Sequence, residues 1–251
     1  MRGLAVALSF LTRVPVPVRV RDVEDLASSI HWFPVAGAMI GAVIAGAYSL
    51  TSIGLGPVAS AAIAVTLGVM LTGAFHEDGL ADTFDALGGG ASADRSLEIL
   101  KDSRLGTFGT ASLVASIVIR VGLIAGFDGR TAFLALPAAH AVSRAAAVGV
   151  MGVSPAASGE GLGASYLRHG TATRVWLGVV VGAGVGIALL GPVAGIAACV
   201  VAAMTALAVR RWAVRKLGGV TGDVLGAVQQ IAEIGALIAA AWISGEAFTP
   251  W

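Results

Sequence analysis

Three aspartates with helical spacing follow the second apolar stretch of the chain. Asp78, Asp82 and Asp85 are four and three positions apart, so their carboxylates would share one face of a helix. Carboxylates placed this closely repel one another unless a cation lies between them. Mg²⁺ suits them, because it prefers carboxylate oxygens and often shares them with substrate phosphates. The pattern predicts a Mg²⁺–diphosphate site with all three aspartates as metal ligands, rather than only the acidic start of a solvated helix.

Basic side chains suited to phosphate follow the acidic stretch, after the glycine run 88–90. Such glycines let the backbone approach a ligand closely. Arginine can contact phosphate oxygens in a bidentate manner, and lysine does so as a point charge. The alternative for these cations is a cluster beside the membrane that only sets orientation. We predict that Arg95, Lys101 and Arg104 contact the substrate phosphates, together with Arg13, which lies before the first apolar stretch.

Three residues of the same region are candidates for the chemical step: His76, Asp82 and Asp102. His76 adjoins the carboxylates and can act as general base on an attacking hydroxyl, although a histidine with a purely structural role is the alternative. Asp102 can add a metal ligand or orient the base. Asp82, the central carboxylate, is assigned both to metal binding and to catalysis.

Two acids of the last apolar stretch extend this site hypothesis. Asp223 lies at its start and can face the acidic segment, so we predict a further metal ligand there, with a helix cap beside Thr221 as the alternative. Glu233 lies mid-stretch, where a carboxylate is a functional candidate by default. An ion pair with Arg144, which shares a helix face with His140, is the structural alternative for Glu233 and the one we favour.

The composition identifies the class of protein that must position these residues. Of 251 residues, 57% are apolar and 12% are charged, against about 25% charged in ordinary soluble domains, and the mean hydropathy is +0.88. We therefore predict one integral membrane domain over 1–251 in contact with the lipid bilayer. The single cysteine, Cys199, excludes a disulfide within the chain and a zinc site built on cysteines. No nucleic-acid partner is expected.

Apolar stretches of membrane-spanning length predict an all-α bundle of about seven transmembrane helices with an acidic cytoplasmic loop. The predicted spans are 33–53, 57–75, 105–127, 131–153, 175–190, 193–209 and 224–243. Most lysines and arginines precede the first span or follow an even-numbered one, whereas Arg130 alone lies on the opposite side. The positive-inside rule then places the N-terminus and the acidic loop in the cytoplasm and the C-terminus outside the cell inner membrane. The apolar run 4–11 is interpreted as an interfacial helix.

Six segments, distributed from end to end, resemble the cobalamin-5′-phosphate synthase family, the adenosylcobinamide-GDP ribazoletransferases. They are 10–17, 32–37, 76–85, 97–109, 161–163 and 218–227. The resemblance implies transfer of the adenosylcobinamide phosphate moiety from adenosylcobinamide-GDP to α-ribazole or its 5′-phosphate, with GMP as leaving group and Mg²⁺ as cofactor. It thus implies a membrane transferase of cobalamin biosynthesis.

The chain departs from the family pattern at two places. Where the family has two glutamates three positions apart, this chain has Gln230 and Glu233, and an amide is a weaker metal ligand than a carboxylate. An arginine expected in 155–158 is missing, so that one phosphate contact is either absent or supplied by Arg168.

Three rival functions fit parts of the pattern. An aspartate-rich prenyltransferase also binds Mg²⁺–diphosphate in a membrane bundle, but it would carry a second aspartate motif where this chain has only Asp223. A CDP-alcohol phosphotransferase would need a different continuation after Asp78-Gly79. A cation transporter would place carboxylates within several spans. The sequence leaves open the oligomeric state, a homo-oligomer included, the choice between nucleoside and nucleoside phosphate, and the corrinoid site.

Overall fold

The computed structural model describes residues 2–20, 23–90, 92–102, 104–157 and 171–245. The segment 161–163, Arg168 and the chain end after Gly245, on which parts of the predictions fall, lie outside these residues. The helices are α1 (Arg2–Leu11), α2 (Val23–Ser29), a 3-10 turn (Ile30–Trp32), α3 (Phe33–Thr51), α4 (Pro57–Thr72), α5 (Phe75–Gly89), α6 (Ala93–Ile99), α7 (Thr107–Ala125), α8 (Gly129–Gly152), α9 (Ala172–Leu217) and α10 (Gly222–Ser244). The described part of the chain contains no β-strand, only an isolated bridge between Ala156 and Val220. The predicted all-α membrane bundle is confirmed.

Two antiparallel helices make up α9. Gly191 adopts φ 78° and ψ 171°, outside the helical region, and Pro192 restarts the helix. A Cβ at Gly195 would lie 2.5 Å from the Cα of Ile187, so the halves fold back on each other. Each outer end reaches the end of α8, because Val175 packs against Gly152 and Arg210 donates to the Val153 carbonyl. The two halves correspond to the predicted spans 175–190 and 193–209.

Helix length and composition indicate which helices could cross a membrane. Within the described residues, five helices are long and apolar enough to cross a membrane, and the bent pair α4–α5 raises the number to six. That count treats α9 as one helix. The predicted seven requires each half of α9 to cross separately, and it stays a prediction, as does the single domain over 1–251.

A sharp bend directs α5 across the end of the bundle. Gly73 closes α4 in the left-handed region at φ 65°, and Ala74 also has a positive φ of 58°. The two successive left-handed residues turn α5 by 91° relative to α4. The helix α5 then packs on α7 and α10. The acidic segment is thus a helix, rather than an extended loop, and it follows the predicted span 57–75.

Candidate active site on the acidic helix

A close approach of α5 and α10 brings the acidic segment to the last span. A Cβ at Gly79 would lie 2.7 Å from the backbone oxygen of Asp223, and one at Gly226 would lie 3.3 Å from the carbonyl oxygen of His76. Only glycine therefore fits at the tighter of these crossings. The crossing places Asp223 beside Asp78, and both residues line one cavity.

The carboxylates of this cluster act on one another electrostatically. Burial, and then the charges of Asp78, Asp223 and Asp85, raise the pKa of Asp82 from 3.8 to about 7. The raised pKa thus reflects the burial of the group first and the negative charge of its three aspartate neighbours second. The predicted facing of Asp223 toward the acidic helix is observed, and Thr221, not Asp223, caps α10 by accepting from the Val224 N–H.

The donor set fits Mg²⁺ in charge and in ligand chemistry. Mg²⁺ retains several waters and is commonly bound by one or two carboxylates together with substrate phosphates, rather than by a complete protein cage. Within the described ranges, no three His, Cys, Asp or Glu side chains already form a ligand group around one point. On the chemistry of the donors alone, one or two of these carboxylates could bind Mg²⁺.

Asp85 is positioned differently from the other two aspartates of α5. Its carboxylate oxygens accept hydrogen bonds from the N–H groups of Gly106 and Gly109, at 2.7 and 2.8 Å. Both N–H groups lie at the start of α7, where backbone donors have no partner within the helix and a negative charge is favourable. Asp85 thus ties the loop after α6 to the acidic helix. Its assignment as a metal ligand stays a prediction, and its oxygens already have these two partners.

The predicted phosphate-binding residues are divided between two places. Arg13 packs its side chain against Gly73, at the bend before α5, and its N–H donates to the Leu71 carbonyl at 2.8 Å. The side chains of Arg95 and Arg104 are 60% and 86% exposed, and Lys101 is exposed as well. The structure therefore brings only Arg13 to the bend that leads into the acidic helix.

The two candidate bases differ in their surroundings. His76 is buried, 6% exposed, and borders the cavity that Asp78 and Asp223 also line. Asp102 lies near the surface, and hydrogen bonds from Arg104 lower its pKa to about 2. Burial, and then the charge of Arg144, also lower the pKa of His76 well below its usual value of 6.5, so both groups are weak proton acceptors. His76 is the better placed of the two, because it borders the cavity that the aspartates line.

A buried network of charges lies beneath the acidic helix. Arg120 contacts Glu77 at 3.2 Å and Glu233 at 3.6 Å, and all three side chains are at most 7% exposed. Intramembrane charges of this kind are expected to pair with one another. Arg120 falls within the predicted span 105–127, whereas Glu77 is a functional residue that the sequence pattern did not identify. The signal for Glu77 is its position directly beside His76.

The favoured structural alternative for Glu233 is confirmed in this network. Its Oε2 lies 3.5 Å from Arg144 and 3.2 Å from the His140 ring nitrogen, and it accepts from the Gln229 amide at 2.6 Å. Gln230, the departure from the family pattern, donates to Glu77 Oε1 at 3.1 Å. The amide at 230 therefore serves as a hydrogen-bond partner of the network.

Replacing Gly79 by alanine should separate α5 from α10. The added Cβ would meet the backbone of Asp223, which cannot move aside as a side chain can, so we expect a loss of about 1–3 kcal/mol in unfolding free energy. Thermal unfolding in detergent measures the loss. Gly122→Ala is the matched control, since a Cβ there meets nothing within 4 Å. Equal unfolding temperatures for the two variants would contradict the close crossing.

Comparison with known proteins gives a consistent result. The family model for cobalamin-5-phosphate synthase matches residues 3–241. An adenosylcobinamide-GDP ribazoletransferase of Azorhizobium caulinodans is 40% identical, covering 95% of this chain and 94% of that protein. Proteins with the same name from Bradyrhizobium diazoefficiens and Leptothrix cholodnii are each 38% identical, over 95% and 96% of this chain and 92% and 94% of their own lengths. No solved structure matches the chain.

Proposed function

The chain belongs to the cobalamin-5-phosphate synthase family, and from that premise we propose that it joins α-ribazole, or its 5′-phosphate, to adenosylcobinamide-GDP. A ribose hydroxyl of the nucleoside attacks the phosphorus on the cobinamide side of the diphosphate. A new phosphate ester forms, the bond to GMP breaks, and the hydroxyl proton passes to a base. The products are adenosylcobalamin, or its 5′-phosphate, and GMP.

The convergence of Asp78, Asp82 and Asp223 from two helices, beside His76, is the observation that carries this proposal. These carboxylates would hold Mg²⁺, with Asp85 as the further predicted ligand. When bound, the ion would neutralise charge on the diphosphate and orient it. His76 accepts the hydroxyl proton, and Asp102 stands as the second candidate for that role.

Cations of the chain would bind the phosphate groups. Of the four predicted phosphate contacts, Arg13 lies at the bend before α5. Arg95, Lys101 and Arg104 lie on the exposed segment after α5, where they can contact the GDP portion of the substrate. Because Arg95 and Arg104 are paired with Glu98 and Asp102, substrate binding would exchange these partners for phosphate oxygens.

The test is a reconstituted reaction. The purified protein, in detergent or in liposomes, is incubated with adenosylcobinamide-GDP and α-ribazole, and the corrinoid product and GMP are measured by chromatography. We expect equal amounts of both products, with loss of activity in EDTA and recovery on adding Mg²⁺. An absence of product under all conditions would overturn the activity, whereas product formation in EDTA would overturn only the metal requirement.

We further propose that α5 faces the cytoplasm from the cytoplasmic membrane. The basic residues before α3, in the α5–α7 connection and near the end of α9 support this orientation. A reporter fused to the C-terminus should then lie outside the cytoplasm. A periplasmic phosphatase fused there should be active, and a green fluorescent protein fused there should not fluoresce. A fusion after Leu217 should show the opposite. A fluorescent C-terminal fusion would contradict the seven-span topology.

A further inference from the structure

A cavity of about 330 Å³ opens beside the acidic helix. One part of its wall is apolar and includes three phenylalanines, Phe10, Phe33 and Phe75. The other part is polar and includes Asp78, Asp223 and Arg144. The cavity therefore joins an aromatic chamber to the carboxylates proposed to bind the diphosphate.

We propose that this cavity binds the nucleoside substrate, with its flat benzimidazole base among the phenylalanines and its ribose toward the carboxylates. The assignment rests on the proposed function and identifies a binding site for one of its two substrates. In this pose the attacking hydroxyl is presented at the polar wall, next to His76. The corrinoid remains outside the chamber and contributes its diphosphate from the open side.

The size of the cavity decides between the two substrates. Pockets of about 300–1,000 Å³ hold ligands of ordinary small-molecule size. A nucleoside with a two-ring base is such a ligand. The corrin macrocycle with its amide side chains and its adenosyl group is much larger than this space. Of the two substrates, only the nucleoside fits.

The aromatic walls match a planar heterocycle. The rings of Phe10 and Phe33 stack with their centroids 5.7 Å apart, and Phe75 meets Phe10 edge-on at 5.2 Å. Such faces and edges attract a further aromatic ring beyond its area of burial. Phe75 also meets the His76 ring edge-on at 5.1 Å. The base would thus lie next to the residue that accepts the hydroxyl proton.

The polar wall distinguishes a nucleoside from a lipid chain. The carboxylates of Asp78 and Asp223 line this wall, and they can accept hydrogen bonds from the hydroxyl groups of a ribose. An acyl chain offers no such donor. A second cavity, of about 250 Å³ between α8 and α9, has almost entirely apolar walls and lacks this feature.

Two adjacent alanines of α8 provide a matched test. Ala147 lines the proposed nucleoside cavity, and Ala146 lines the apolar cavity between α8 and α9. Both are partly exposed. Ala147→Phe should fill the chamber and raise the KM for α-ribazole about tenfold or more, with the KM for adenosylcobinamide-GDP unchanged. Ala146→Phe should change neither KM value.

Direct binding separates this proposal from the proposed function. Calorimetric titration of the detergent-solubilised protein with α-ribazole alone should show saturable binding that Ala147→Phe abolishes and Ala146→Phe retains. Saturable binding is expected even if the wild-type protein catalyses no transfer. A failure of transfer alone would overturn only the proposed function. Phe33→Leu, which keeps the chamber apolar, should weaken binding by about two- to tenfold through the lost ring contacts. Unchanged affinity in both chamber variants, or displacement of α-ribazole binding by phospholipid titration, would overturn the assignment.

Discussion

The Asp82→Asn variant is expected to lose about a thousandfold in kcat, because metal-assisted charge stabilisation contributes several kcal/mol to such a transfer. Asp82 lies where the charges of three other aspartates act on it. An amide at this position keeps the shape of the side chain but withdraws one negative charge from the proposed Mg²⁺ site. Product formation at saturating substrate concentrations, measured over a range of Mg²⁺ concentrations, tests the loss.

The fold of the same variant should be as stable as that of the wild type, or more stable. Burial and repulsion raise the pKa of Asp82 from 3.8 to about 7, so in the metal-free protein this group favours folding most at low pH. Its contribution disappears as the pH rises from about 4 through 7. Asparagine carries no charge to repel, so the unfolding temperature in EDTA at pH 8 should not fall.

A nearby exposed acid provides the control. Asp94, in the first turn of α6, should tolerate replacement by asparagine with little change in kcat or unfolding temperature. Full activity of Asp82→Asn would remove this residue from the site. Equal losses in Asp82→Asn and Asp94→Asn would show that general surface charge, rather than a defined metal site, supports the reaction.

The sequence predicts those parts of the site that depend on local spacing. Aspartates four and three positions apart share a helix face whatever the rest of the fold does, and α5 is helical over that range. The hairpin within α9 is likewise signalled by Gly191-Pro192, which no continuous helix accommodates easily. Membrane character follows from composition alone.

Other features depend on contacts between distant segments and leave no such signal. The bend before α5 requires a positive φ at Ala74, a conformation for which alanine has no preference. The partners of Asp85 are backbone N–H groups of Gly106 and Gly109, and backbone donors are invisible in a pattern of side chains. Asp85 therefore looked equivalent to Asp78 and Asp82 in sequence, although its oxygens are already engaged.

Arg120→Met is expected to lower the unfolding free energy by about 3–5 kcal/mol, because removing one partner of a buried ion pair leaves an uncompensated charge. Glu77 would lose its contact at 3.2 Å, and its Oε2 already has no partner among the described residues. The unfolding temperature in detergent should fall by about 10 °C, as expected for a chain of this length. Arg95→Met removes a shorter but exposed pair, 2.8 Å from Glu98, and should change stability by less than about 1 kcal/mol.

The double variant Arg120→Met/Glu77→Gln tests whether charge or packing causes the loss of stability expected in Arg120→Met. Two arginines, Arg120 and Arg144, balance two carboxylates, Glu77 and Glu233, in the buried network. Removing Arg120 leaves one excess negative charge, and neutralising Glu77 restores the balance without refilling the space. If charge is the cause, the double variant should recover most of the lost stability, since apolar or neutral replacement of a whole buried pair is nearly neutral. If the double variant is as unstable as Arg120→Met, the loss stems from the missing packing of the arginine side chain. The network would then stabilise the contact between α5, α7 and α10 by packing rather than by compensating charges.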